Sequence, residues 1–115
     1  MIDYDEMSDF EINKRVVMYL PLAINEDQLI SKRPTESAVM VNDLVNSYWV
    51  DFCNNAVDMM PIIIDHEISI EFMDGGLVNI WIDTERSTYS PARLTKKSEL
   101  PRSAAICFLK MKAAE

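Results

Sequence analysis

One stretch constrains the fold of this chain more than any other. Residues 68–82, Ile-Ser-Ile-Glu-Phe-Met-Asp-Gly-Gly-Leu-Val-Asn-Ile-Trp-Ile, alternate on either side of Asp74-Gly75-Gly76. Period two is the pattern of a half-buried strand. With Met73 facing Leu77 across a three-residue loop, Phe72 opposes Val78, Ile70 opposes Ile80 and Ile68 opposes Ile82. All six side chains then share one face, and a one-residue slip would split them between two faces. Such a loop ends on a left-handed residue, a conformation that Gly76 adopts without a Cβ penalty. Cross-strand pairs of this kind contribute about 0.2–1 kcal/mol each.

A lone hairpin is marginal in water, so the rest of the chain must supply neighbours. Residues 38–52 fit a helical stripe (Val41, Leu44, Val45, Tyr48, Trp49, Phe52). They fit equally two strands, 38–41 and 48–50, about a turn at Asn42-Asp43. The need for sheet partners favours the strands. Ser8 and Glu11 form a capping box. It predicts a first helix running to about Leu20, where Pro21 ends it. Its inner stripe is Ile12, Val16 and Tyr19, flanked by Phe10 and Leu20, with Lys14 and Arg15 outward. Residues 1–7 read as loose, and residues 21–37, with Pro34-Thr35, as a loop.

Pro61 is tolerated near a helix start. With Asp58 as N-cap it falls at N3, and a short helix Met59–His66 follows; the rival is a buried strand 61–64. Residues 83–97 are polar and read as a surface loop. Ser98 is positioned to cap a last helix with Pro101 at N3, and Ala104, Ala105, Phe108, Leu109 and Met111 form its inner face. Lys110 and Lys112 suit its negative end. The fold class expected is α+β. It has a small antiparallel sheet centred on the hairpin (about 68–73 and 77–82), packed with N-terminal and C-terminal helices in one domain, 1–115.

Charge and composition exclude several functions. Only 2 glycines leave no Gly-rich nucleotide loop. A net charge of −8 disfavours direct binding to a nucleic-acid backbone, which requires cations. Residues 86–115 hold seven bases and two acids, net +5, so the first 85 carry −13. Either the two parts neutralise each other on folding or the acidic surface meets a basic partner. Two cysteines, Cys53 and Cys107, are too few for a disulfide framework, and free thiols suit a reducing cytosol. The acidic N-terminus is unlike a secretory signal. The longest apolar run, Met59–Ile64, is far short of the roughly 20 residues that span a bilayer.

Catalytic constellations are absent from the pattern. His66 is the only imidazole and lacks any nucleophile elbow. Cys53, Asp58 and His66 lack paired zinc-ligand spacing. Asp65, Glu67 and Glu71 read as a solvated face. The segment Asp51, Asn54, Asn55 and Asp58 is more pointed, although turns and caps also use these residue types. Trp49 precedes it and is a residue type favoured at interface hot spots. Arg102 is a candidate partner for an anionic group. These six residues form the candidate binding surface; no cofactor is implied.

Three stretches together resemble a known family. Met7-Ser8-Asp9-Phe10-Glu11-Ile12-Asn13-Lys14-Arg15-Val16 opens the chain. Asp51-Phe52-Cys53-Asn54-Asn55, Asp58, Pro61-Ile62-Ile63 and Ile68-Ser69-Ile70 form the middle. Leu100-Pro101-Arg102-Ser103-Ala104-Ala105 with Phe108-Leu109 closes it. They look like the small NinX-like proteins of tailed bacteriophages and prophages, a family without an assigned function. Two departures stand out. Met60 takes the place of an aromatic residue common before the proline, and Leu-Pro-Arg-Ser-Ala replaces an Asn-Pro-Leu-Arg-Ala order. The resemblance implies a phage or prophage origin and expression in the bacterial host cytoplasm, and it brings no catalytic residues.

The expected function is therefore that of an accessory protein which binds a host or phage protein, with host defence as one target. One alternative is a small-ligand binder or enzyme with its site near the Asn54–Asp58 turn and Arg102. Others are an acidic nucleic-acid mimic and a self-associating protomer whose acidic and basic parts pair between copies.

Overall fold

The computed structural model describes residues 3–20, 30–31, 38–42, 47–91 and 94–115. Among these residues the α-helices are α1 (Asp9–Tyr19), α2 (Ala56–Asp65) and α3 (Leu100–Ala113). The strands of the described residues are β1 (Ile30–Ser31), β2 (Val39–Asn42), β3 (Ser47–Val50), β4 (Ser69–Met73), β5 (Leu77–Asp83), β6 (Thr88–Tyr89) and β7 (Thr95–Lys96). The fold is a small α+β unit with helices at both ends of the chain.

The hairpin has the expected register: Met73 opposes Leu77, Phe72 opposes Val78 and Ile70 opposes Ile80. Gly75 and Gly76 both take positive φ, +81° and +74°. Ile68 is buried just before β4 begins. Burial of the shared face is uneven, however. Val78, Ile80 and Ile82 of β5 are buried, Ile70 is half-buried, and Phe72 is 66% exposed. The reason is lateral position. Helix α3 packs on β5, while β4 lies one strand further out at the sheet edge. At the tip the Lys97 ammonium stands 6.0 Å from the centre of the Phe72 ring, a cation–π distance that suits an exposed aromatic.

Two corrections concern the sheet. Strands β2 and β3 do form, antiparallel and with Met40 opposite Trp49, but they do not flank the hairpin. They make a separate sheet in the order β1-β2-β3. Asn42 belongs to β2, and Asp43 lies outside the described residues. The hairpin finds its neighbours instead in 83–97, expected to be a surface loop. Tyr89 pairs with Ile82, and Thr95 with Val78, so β6 and β7 both add to β5. Strands of two residues carry too little periodicity to be read. The expected loop over 21–37 lies outside the described residues apart from β1.

Helix starts also moved. Ser8 caps α1 as expected, accepting from the Glu11 N–H at 3.2 Å. Leu20 then turns extended, as the residue before a proline must. Helix α2 begins earlier than expected, because Asn55 and not Asp58 is its cap: Asn55 Oδ1 accepts from the Val57 N–H at 3.1 Å. Pro61 thus lies inside the helix. Ahead of α3, Lys97–Glu99 form a 3-10 turn, so Ser98 is not its cap and Pro101 falls at N2. Proline suits the first turn, where no N–H is needed.

The core is organised on α3. Ser103 through Leu109 and Met111 are buried on it, against α1, α2 and β5. Ile12, Val16 and Val17 face inward from α1, and Met59, Ile62 and Ile63 from α2. Tyr19, expected in the inner stripe, is half exposed. Fully buried Asn13 takes a place on that stripe instead.

Candidate functional site

The candidate residues come together, but on one another. Asp51 leaves the end of β3, and among the described residues its carboxylate accepts from Asn13 and Asn54. The bonds include Asn13 Nδ2 at 2.9 Å, the Asn54 N–H at 3.2 Å and Asn54 Nδ2 at 3.2 Å. The Asn13 side chain faces two ways: its Oδ1 accepts from the Cys53 N–H at 3.1 Å. Asp58, at the third position of α2, accepts from the Asp51 N–H at 2.9 Å. The turn before α2 is thereby fastened to α1 on one side and to its own helix on the other. Amides and carboxylates suit this because each satisfies backbone groups that no strand or helix can reach.

Arg102 extends the network to α3. Its Nη1 pairs with the Asp9 carboxylate, whose other oxygen accepts from Asn54 Nδ2 at 3.0 Å. Its Nη2 donates to the carbonyl oxygens of Met7 at 2.7 Å, Asp5 at 3.3 Å and Tyr4 at 3.4 Å. Residues 3–7, expected to be loose, therefore form a tied 3-10 turn (Tyr4–Glu6) with Tyr4 buried. A planar fork of donors can hold a carboxylate and converging carbonyls together, which an ammonium cannot. The hollow beside Arg102, bordered by Asp5, Thr95 and Glu99, has about 20 Å³ of free space, room for one water at most.

Of the six candidates, Asp51, Asn54, Asp58 and Arg102 sit in this network, and Asn55 is the cap of α2. Trp49 is half-buried on β3, two residues before Asp51. Two members, Asp9 and Asn13, escaped the sequence reading. Asn13 left a signal: it is three residues before Val16 and four before Val17, on the face that the apolar residues define.

Reactive chemistry is muted here. Burial, reinforced by the Asp9 charge, pushes the Cys53 thiol far above its usual range. Burial likewise pushes Cys107 up to about 12. Neither forms the thiolate a nucleophile needs near neutral pH. His66 lies at the end of α2 with its ring 4.9 Å from Phe108. Burial there and the Lys112 charge lower its pKa. Among the described residues no three of His, Cys, Asp and Glu gather as a metal-binding set. A shallow groove of about 400 Å³ runs between Thr84–Arg86, Tyr89 and the end of α3.

A second surface is distinctive. The outer side of α2 carries Val57 at 77% exposure, Met60 at 50% and Ile64 at 65%. Spacings of three and four put them on one stripe, with exposed Pro61 beside them. The opposite side carries the buried Met59, Ile62 and Ile63. A helix with apolar residues on two opposite sides normally has both of them covered. Comparison with known proteins found no matching family model, no matching curated protein and no matching solved structure.

Arg102 tests the network directly. Arg102→Ala should lower unfolding free energy by about 2–3 kcal/mol, because a part-buried carboxylate and three carbonyls lose their donor. Arg102→Lys should recover less than half of that loss. Urea unfolding measures both, and amide exchange at residues 4–7 should accelerate in step. An unchanged urea midpoint in Arg102→Ala would contradict the assignment.

Proposed function

We propose that this chain is a phage or prophage accessory protein that works in the bacterial host cytoplasm by binding another protein, through the outer face of α2. The observation carrying this is the exposed Val57, Met60 and Ile64 stripe on a helix whose other side is already in the core. Contiguous apolar exposure of that kind marks contact surfaces. The resemblance to the NinX-like proteins supports the origin. Its three stretches also supply Asp9, Asn13, Asp51, Asn54, Asp58 and Arg102, all members of one network. Countering host defence is the form of binding that this origin suggests.

A ligand site at the Asn54–Asp58 turn and Arg102 has less support, since the donors and acceptors described there face each other. A nucleic-acid mimic is also less supported. Asp9, Asp51 and Asp58 are engaged internally, and Asp83 accepts from Thr88 Oγ1 at 2.7 Å and from Trp81 Nε1 at 3.2 Å.

The test is affinity capture with the full chain and with a Val57→Asp/Ile64→Asp variant, in a bacterium carrying the phage or prophage. The native chain should retain one host or phage protein in stoichiometric amount, and the variant should lose it while unfolding at the same temperature. Equal recovery by both chains, with phage growth indifferent to deletion of the gene, would overturn the proposal.

A further inference from the structure

We infer that the occupant of the α2 face is a partner segment whose apolar stripe is edged by lysine or arginine, as in a basic amphipathic helix; this rests on the protein-binding reading above. The apolar residues define the shape and the acids define the charge. Asp58 and Asp65 each follow a stripe residue by one position, Val57 and Ile64, and are seven residues apart. They therefore border the stripe along one side, two helical turns apart. Asp65 is exposed and exposed Glu67 follows at the helix end, so these two carry the charge that a partner meets; Asp58 is half-buried and already accepts from the Asp51 N–H.

The stretch of sequence that carries these charges holds no cation to balance them. Residues 51–85, which supply α2 and the whole hairpin, contain eight acids (Asp51, Asp58, Asp65, Glu67, Glu71, Asp74, Asp83, Glu85) and no lysine or arginine. His66, the C-cap of α2, is held toward neutrality by burial against Phe108. Lys112, which packs over the same ring, pairs with Glu115 at 3.5 Å.

A second copy fits poorly. Two α2 helices packed antiparallel through this stripe bring their acidic borders to the same side, like charge on like charge. Packed parallel, each border meets the Ala56 side of its mate. Neither arrangement offers a cation. A partner with cations at matching intervals removes this repulsion and buries Val57, Met60 and Ile64 together, the helix-in-groove mode of recognition with its charge border specified.

The experiment uses the full chain and two fluorescent 18-residue peptides of identical leucine spacing, one with lysine and one with glutamate at the polar positions. Binding is read by anisotropy at low and high salt. The lysine peptide should bind at least about tenfold more tightly than the glutamate peptide. It should weaken about tenfold from 0.05 to 0.5 M salt as surface charges are screened. Ile64→Asp should abolish binding, and Asp65→Asn/Glu67→Gln should weaken it severalfold, with both variants folded by circular dichroism. Lysine-peptide binding that survives Ile64→Asp would overturn the inference, since a diffuse acidic surface would then explain it. A concentration-dependent dimer that Ile64→Asp dissolves would overturn it in favour of self-association. If neither peptide binds but Val57→Asp/Ile64→Asp still loses the captured cellular partner, the charge assignment fails and the protein-binding reading stands. If that variant changes neither, both fail.

Discussion

Asn13→Asp is expected to destabilise the protein by about 4 kcal/mol or more at pH 7, a large part of the roughly 5–15 kcal/mol that holds a domain of this size together. The substitution is nearly isosteric, so the effect is electrostatic. Asn13 is 0% exposed, donates to Asp51 at 2.9 Å and accepts from the Cys53 N–H at 3.1 Å. Aspartate keeps the acceptor for Cys53. It loses the donor to Asp51 and places a second carboxylate against the first in a water-excluded site, where unpaired charge is most costly. Asn13→Ala is the informative control. It orphans the Cys53 N–H and takes one donor from the Asp51 carboxylate, which keeps those of Asn54, at a cost of about 2–3 kcal/mol, and it adds no charge. At neutral pH the aspartate variant should therefore be the weaker of the two. Like-charge repulsion and burial raise the pKa of the new carboxyl in the folded state above its unfolded value of about 3.9. A raised carboxyl pKa contributes stability below the unfolded value that is lost as pH rises through the folded one. Asn13→Asp should accordingly gain on Asn13→Ala between pH 7 and pH 4. Denaturant titrations across that window read the order of the two variants. Equal stability at every pH would show that Asn13 fills space and does not link charges.

How much of this was legible in the sequence depends on the range of the interaction. The register of β4 and β5 was readable because turn chemistry and alternation act within fifteen residues, and only one register puts Ile70, Val78 and Ile80 together. Ser8 was readable for the same reason. The cap of α2 misled because Asn55 and Asp58 are both good caps. The choice between them depends on the Asp51 N–H, which claims the Asp58 carboxylate. Phe72 misled because period two assigns a face but cannot say how far the covering helix extends. The partners of Arg102 lie more than ninety residues away, at Asp9 and the carbonyls of Tyr4, Asp5 and Met7, and no local pattern marks them. A short stretch such as Met59–Ile64 announces apolarity but not which side is covered. Only the placement of α2 against α3 separates the inner Met59, Ile62 and Ile63 from the outer Val57, Met60 and Ile64.

That same placement makes Phe108→Ala the second large effect, about 3–5 kcal/mol, in the usual range for emptying a buried aromatic site. The Phe108 ring is fully buried and is the point where the helices meet. Tyr19 of α1 approaches it edge-on at 6.4 Å and 84°, His66 at the end of α2 at 4.9 Å and 60°, and the Lys112 ammonium lies 5.8 Å from its centre. Removing it takes away the wall that dries His66, and a second readout follows. The His66 pKa is lowered first by burial and then by Lys112, with Asp65 and Glu115 acting in the opposite direction. In Phe108→Ala it should rise toward the ordinary 6.5, visible in an NMR titration of the only imidazole in the chain. The sign in stability follows. A depressed histidine pKa contributes stability that is present above pH 6.5 and lost as pH falls through the lower folded value. The native protein should lose that increment on acidification, and Phe108→Ala should lose less of it. Phe108→Leu, which keeps most of the volume, should cost about 1–1.5 kcal/mol and leave the histidine low. A loss below about 1 kcal/mol in Phe108→Ala, with the histidine unmoved, would show that the three helices close over the cavity without it. The outer face of α2 would then lack the fixed backing that a pre-formed docking surface requires.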